Sequence, residues 1–246
     1  MTKPTKSQQP DRGAAIYRAL RHAIIEQALA PGAKLPEDAI GEQFGASRTI
    51  VRNALARLAA EGLVELQRNR GASVAVPSWD EAQDTFQVRI AIEQLIMRRL
   101  AGRLSARQVA ALMEHVTSEE EARGKDEALS IRLATEFHIL LAEMTSSPVY
   151  ARFAGELASR CGLILALYSR PHSSECAVSE HRQIIHALKA NDTKRAVSVM
   201  TEHLEAVVHR ALIKDRSKKD ADIKSILSSY TDNTPPTKRA SRKRGR

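Results

Sequence analysis

Ala46-Ser47-Arg48-Thr49-Ile50-Val51-Arg52-Asn53-Ala54-Leu55 is the stretch on which the fold of this chain turns. Ser47 is a favourable helix N-cap, because its hydroxyl accepts from the unpaired N–H groups of a first turn. Val51, Leu55 and Leu58 recur at four- and three-residue steps, which draws one apolar stripe along a helix. Arg48 and Arg52 are four apart and leave the same side of that helix, close to its start. A helix-turn-helix reader has this geometry, since the N-terminal residues of its second helix meet base edges in the major groove. Arginine suits such a position, since its planar fork bonds guanine O6 and N7 together and also clamps phosphate.

The flanking sequence completes the motif. Upstream, Ile16, Ala19, Leu20, Ala23, Ile24 and Ala28 predict one amphipathic helix ended by Pro31-Gly32. A short helix over residues 37–44 follows and Gly45 breaks it. Downstream of Glu61-Gly62, residues 63–67 alternate, Arg68-Asn69-Arg70-Gly71 turns, and residues 73–76 alternate again, a small hairpin with a basic tip. An arginine pair alone is more often a solvated face; the cap, the pair and the basic hairpin together make residues 14–77 a winged helix-turn-helix. Residues 1–13 read as a flexible arm.

The charge is unevenly spread. The 246 residues carry a formal +9, of which residues 1–77 contribute +4, residues 78–209 contribute −3 and residues 210–246 contribute +8. Basic ends suit a polyanion, because each neutralised phosphate releases a condensed counterion. An apolar content of 43% is enough for a buried core and too much for a disordered chain. The longest apolar run, near residues 163–168, is far short of the ~20 that span a bilayer. Residues 1–10 show no secretory h-region, and Cys161 and Cys176 have no metal or redox spacing, so a reducing cytoplasm is expected. With nine aromatic residues, base stacking on single strands is disfavoured.

From Asp80 to about Asp215 the period is helical throughout. Helices are predicted over 80–102, 105–123, 126–145, 147–169, 176–190 and 193–214, with a capping box at Ser105 and Gln108. Short loops between them predict an antiparallel all-α bundle, so the chain as a whole is mostly α. His138, His181 and His203 fall on apolar stripes of three of these helices. A single inward histidine is more often a hydrogen-bonded core residue. Three from different helices suit a divalent metal of the zinc or nickel kind. Beyond Arg216 the helical pattern fades, and residues 216–246 read as a basic, disordered tail ending in Lys238-Arg239-Ala240-Ser241-Arg242-Lys243-Arg244-Gly245-Arg246.

Residues 14–77 resemble the winged helix-turn-helix of the GntR family of bacterial transcription regulators. The resemblance is carried by Pro31-Gly32-Ala33-Lys34-Leu35, Ser47-Arg48-Thr49, Val51-Arg52, Ala54-Leu55, Leu58, Glu61-Gly62-Leu63-Val64 and Arg70-Gly71. It implies that Arg48 and Arg52 contact operator bases or phosphates, that Thr49 contacts backbone, and that Gly71 lets the wing tip enter the minor groove. Ser47, Arg48, Thr49, Arg52, Arg70 and Gly71 are thus the candidate DNA contacts. Asp38 stands where relatives often carry a basic residue, Ile50 replaces a frequent proline and Asn53 a frequent glutamate.

Residues 80–213 are similar to the FCD-type effector domain of that family's FadR branch. Arg89-x-x-x-Glu93, Glu136-Phe137-His138, Glu180-His181-Arg182-x-Ile184, Asn191-Asp192 and Met200-x-x-His203-Leu204 carry that likeness. In metal-binding members a carboxylate one turn before the first histidine joins three histidines around the ion. Here that position is Ala134, and Glu136 points elsewhere. The resemblance implies a homodimeric repressor whose effector domain, residues 78–215, binds a small organic acid, with Arg89 pairing its carboxylate; an i, i+4 pair with Glu93 is the plainer reading of Arg89. The partners expected are double-stranded operator DNA, a carboxylate metabolite and a second copy, with no membrane. Association with the nucleoid follows from DNA binding. A metal-dependent hydrolase using the three histidines is the rival; no Glu or Asp is positioned by sequence near them as its general base, and it leaves residues 1–77 without a purpose. A non-specific DNA-packaging protein would need no helical effector domain.

Overall fold

A computed structural model describes residues 11–68, 70–168, 177–211 and 223–228. The expected N-terminal arm up to residue 10, Asn69, Cys176, residues 212–222 and the basic run after 228 lie outside the described residues.

The N-terminal unit opens with α1, Arg12–Ile25, whose N-cap Asp11 accepts from Ala14 N–H. The helix thus starts two residues inside the expected arm. Its stripe of Ile16, Leu20, Ala23 and Ile24 is fully buried. α2, Glu37–Phe44, and α3, Arg48–Ala60, follow, joined by a turn in which Gly45 takes φ 58°. That left-handed conformation lets Gly45 N–H and Ala46 N–H return to the last carbonyls of α2, which a β-branched residue would resist. The expected cap forms, Ser47 Oγ accepting from Ile50 N–H. Ile40, Val51, Leu55 and Leu58 close the core between the three helices.

β1, Val64–Gln67, pairs antiparallel with β2, Gly71–Val74, in the register Val64 opposite Val74 and Gln67 opposite Gly71. The second strand begins two residues before the alternation suggests, because pairing starts directly at the turn. A third segment supports the wing. Leu35 N–H donates to Ala72 O and Val74 N–H to Ala33 O, so the 32–35 stretch lines the free edge of β2. This edge pairing left no periodic trace in the sequence.

The helical domain comprises α4 (Trp79–Leu100), α5 (Ala106–Ala122), α6 (Glu127–Met144), α7 (Pro148–Tyr168), α8 (Ala177–Lys189) and α9 (Thr193–Ala211). Capping boxes open α4 at Ser78 with Glu81 and α5 at Ser105 with Gln108. Contacts run α4 to α9, α9 to α8, α8 to α5, α5 to α6, α6 to α7 and α7 back to α4. The six helices therefore close a ring, and whatever polar groups point inward meet at one centre. Mostly helical, with a winged helix-turn-helix first, the fold is the one the periodicities predict.

Two features join the units. α7 sends Leu163 into the N-terminal core, where burying a leucine contributes about 1.5–3 kcal/mol. Arg21 of α1 donates to Ser159 Oγ at 2.6 Å, and Arg132 of α6 pairs with Glu26 at 3.0 Å. The second feature departs from the expected featureless tail: Ile223–Ser228 forms a short helix, α10, against α1 and α2. Its Ile223 and Leu227 are buried in the core of the N-terminal unit. Two apolar residues one turn apart are too weak a pattern to announce a helix; the groove they fill makes the helix.

Candidate functional site

The N-terminal surface presents its predicted residues outward. Ser47, Arg48, Thr49 and Arg52 are exposed along the first turns of α3. Arg70 and Gly71 are exposed at the wing tip, where Gly71 holds φ 82° with nothing within 4 Å of a would-be Cβ. Both α3 arginines are paired. Arg48 donates from Nε and Nη2 to the two carboxylate oxygens of Asp38, at 2.7 and 2.9 Å. Arg52 donates from Nε to Glu37 at 2.8 and 2.9 Å. Both acids come from the first turn of α2, where a helix N-terminus favours negative charge.

The second site is the centre of the helical ring. His138 from α6, His181 from α8 and His203 from α9 are buried, and their ligating nitrogens lie within 4.8 Å of one another. Each ring is held by its own carboxylate through Nδ1. His138 bonds Glu93 of α4 at 2.6 Å, His181 bonds Glu119 of α5 at 2.8 Å, and His203 bonds Glu180 of α8 at 2.6 Å. Where the acid is ionised, as the depressed Glu93 is, Nδ1 is the donor and Nε2 is left with its lone pair. His138 Nε2 and His203 Nε2 face each other at 3.3 Å, and His181 Nε2 is buried without a partner, as is Glu119 Oε1. Phe137 stacks on His181 at 3.9 Å between centroids and walls the cluster on that side.

Burial keeps two of these rings, His138 and His181, neutral. Burial lowers His138 to about 3 despite the pull of Glu93, and burial lowers His181 well below the usual imidazole range. Burial would raise Glu93, but His138 and Arg89 beside it hold the carboxyl well below the carboxylate range. Glu119, with less compensation, is pushed by burial up to about 7. Neutral imidazoles oriented by carboxylates, with converging lone pairs, are the form in which histidine ligates a metal. The donor set therefore fits a divalent cation with three nitrogens. Ala134 offers no ligand, and Glu136 pairs with Arg132 instead.

Arg89 forms the i, i+4 pair with Glu93, Nε to Oε1 at 2.8 Å, and is only 5% exposed. Its guanidinium also interacts with the Cys161 thiol of α7. A continuous chain thus runs from His138 through Glu93 and Arg89 to α7, the helix that enters the N-terminal core. The sequence pattern reveals the histidines but not, at first sight, the acids that aim them. The signal is present: Glu93 shares the buried stripe of Phe86, Ile96 and Leu100, and Glu119 that of Leu112 and Val116. A carboxylate on an apolar stripe needs a buried partner.

Residues 12–74 match the family model described as bacterial regulatory proteins, gntR family, and residues 84–206 match the FCD domain. The HTH-type transcriptional repressor RspR of Escherichia coli is 26% identical over 194 residues, covering 78% of this chain and 85% of the relative. A probable D-xylose utilization operon transcriptional repressor of Paenarthrobacter nicotinovorans is 30% identical over 188 residues, covering 74% and 81%. Among solved structures, E. coli McbR/YncC superposes with a TM-score of 0.73 at 22% identity, over 80% of this chain and 95% of that one. The two sequence relatives carry the names of transcriptional repressors, and the hydrolase reading finds no support among them.

Proposed function

The chain belongs to the gntR family of bacterial regulatory proteins, with an FCD domain behind its winged helix-turn-helix, and on that premise we propose that it is a ligand-controlled, homodimeric repressor. In this reading residues 14–77 bind operator DNA through Ser47, Arg48, Thr49, Arg52, Arg70 and Gly71. Residues 78–215 bind a small organic acid at a zinc or nickel ion held by His138, His181 and His203. A metal there would act as a Lewis acid for the effector's carboxylate. The observation that carries the reading is the buried trio of imidazoles, each aimed by a carboxylate, with His181 Nε2 left without a partner. Arg89 registers the ligand, because a second carboxylate at the cluster competes with Glu93 for its guanidinium. The resulting shift reaches the reader along Cys161 and α7, a contiguous packed route between the two sites.

A second copy is accounted for by α4. Asp84, Val88, Ala91, Leu95 and Arg98 form an exposed seam at steps of four and three, with Val88 55% and Leu95 47% exposed. Packed antiparallel about Ala91, two such helices bring Asp84 of one copy to Arg98 of the other, as a self-complementary two-fold contact needs. Two readers then serve half-sites about one DNA turn apart. No described helix is long and apolar enough to cross a membrane; a cytoplasmic location, on the nucleoid, goes with the proposed DNA partner.

The test begins with elemental analysis of gently purified protein, followed by zinc and nickel titration of wild type and His138→Ala. Stoichiometric metal in wild type, lost in the variant, is expected. A thermal-shift screen of metabolite carboxylates should then find one that stabilises the metal-loaded protein and releases it from its DNA. Absence of metal in both proteins, with carboxylate binding unchanged, refutes the metal site. Absence of any carboxylate that alters DNA binding refutes the effector reading.

A further inference from the structure

The two acids beside the reading arginines need an explanation. Asp38 and Glu37 stand on the face that meets a polyanion, where each negative charge opposes binding. An exposed ion pair adds almost nothing to stability, and the Arg48–Asp38 pair is exposed on both sides, at 68% and 71%. What the pairs do control is direction.

A guanidinium carries five N–H groups on a rigid plane. Asp38 takes the side edge of Arg48, one hydrogen from Nε and one from Nη2, with both oxygens in line. Left over are the end edge, one hydrogen each from Nη1 and Nη2, and the remaining Nη1 hydrogen, which points back along the side chain. That edge is a two-pronged donor, and the major-groove face of guanine, O6 beside N7, is its complement. Glu37 straddles the Nε hydrogen of Arg52 and takes neither Nη group of that side chain. Neither acid is free to wander. Both sit in the first turn of α2, which is locked to α3 by Ile40, Val51 and Leu55 and by the close approach of Gly41 to the Ala46 carbonyl.

We propose that Asp38 and Glu37 are specificity-determining residues, which hold Arg48 and Arg52 by their side edges so that the end edges read guanine. The same pairing cancels the charge with which a loose arginine grips any phosphate. Specificity is a difference between operator and random DNA, and these acids widen it from both ends: the fork is pre-set for guanine and its attraction to backbone is reduced. Asp38, where a basic residue would have supplied one more phosphate contact, thereby trades general affinity for discrimination. The inference rests on α3 being the operator-reading helix.

The experiment is selection from a randomised duplex library by the full chain, as wild type, Asp38→Ala, Asp38→Asn and Glu37→Gln. Alongside it, binding to a mixed-sequence 30-bp duplex is titrated with KCl. Wild type is expected to enrich a guanine at fixed positions of each half-site. Asp38→Ala should lose about tenfold of the preference at one of these positions. It should also bind the mixed duplex more tightly, with a log–log salt slope steeper by about 0.9 per freed arginine. Glu37→Gln should relax the other position, and Asp38→Asn, which keeps one acceptor, should lie between alanine and wild type. The proposal is overturned if Asp38→Ala keeps the wild-type base profile, whether its affinity rises or falls. A uniform loss on selected and mixed DNA also overturns it, since that marks a structural role. If wild type itself enriches no sequence, the operator reading fails first and the buttress fails with it; the two failures are thus distinguishable.

Discussion

Replacing Glu93 by glutamine tests the inner chain of contacts at its most constrained point. The carboxylate is 1% exposed and receives two donors, Arg89 Nε at 2.8 Å and His138 Nδ1 at 2.6 Å. An amide has the same shape but one acceptor oxygen and one donor nitrogen, so it satisfies one neighbour and repels the other. The buried Arg89 charge loses its counter-ion as well. Breaking a buried pair from one side costs about 3–5 kcal/mol, against a total stability on the order of 5–15 kcal/mol. For a chain of this size that lowers the melting temperature by roughly 10 °C. The assay is calorimetric melting of EDTA-treated protein, so that metal occupancy does not enter. Arg89→Met combined with Glu93→Gln removes the orphaned charge and leaves the amide oxygen for His138; the double variant should recover more than half of the loss. Zinc affinity, by chelator competition, should fall about 10–100-fold in the Glu93 variant because His138 is no longer aimed. A Glu93→Gln protein melting within about 2 °C of wild type, as a surface change would, refutes the buried-pair account. A destabilised variant with unaltered zinc affinity would falsify the orienting role alone.

Three further outcomes are expected. His22 on α1 is lowered to about 4 by burial and by Arg132, Arg21 and Arg18, whereas the unfolded chain takes up that proton near 6.5. The unfolded state therefore binds more protons below pH 6.5, and stability should decline as pH falls towards 4, by about 1 kcal/mol at pH 5 once partial exposure is discounted; melting curves of His22→Gln should lack this component. Leu227→Asp puts a charge into the groove that α10 fills. It should release the C-terminal segment to limited proteolysis and cost about 1.5–3 kcal/mol in N-terminal-unit stability, read by urea unfolding, and unchanged proteolysis would show that α10 does not dock. Leu95→Asp sets two like charges near the centre of the proposed α4 seam, and sedimentation should show monomer where wild type shows dimer; a dimer that survives the change places its interface elsewhere.

Periodicity made the helices legible. An amphipathic helix must show its buried face every three or four residues, and α1 to α9 each do, so their positions follow from pattern and from caps such as Ser47 and Ser105. The start of β2 and the whole of α10 were not legible, for a common reason. Ladder bonds from the 32–35 stretch and the groove under Ile223 and Leu227 come from distant chain, and neither leaves a local trace. The histidines announced themselves by being polar on apolar stripes. Their carboxylates, 45 positions away for His138 and 62 for His181, did so more faintly, because a glutamate on a stripe reads as an imperfection until its partner is known.

The order of a basic reader and an acidic helical domain was thus settled by sequence alone, since burial periodicity, capping chemistry and charge are local properties. So were the exposed arginine pair of α3 and the three inward histidines. Only the tertiary structure decided how those residues are poised. Closing six helices into a ring turns three separate histidines into one cluster and assigns Glu93, Glu119 and Glu180 to aim them. Packing α2 against α3 sets Asp38 and Glu37 on the forks of Arg48 and Arg52. In both sites the chemistry resides in directions of hydrogen bonds between elements, and direction is set where helices cross, which no single stretch of chain encodes.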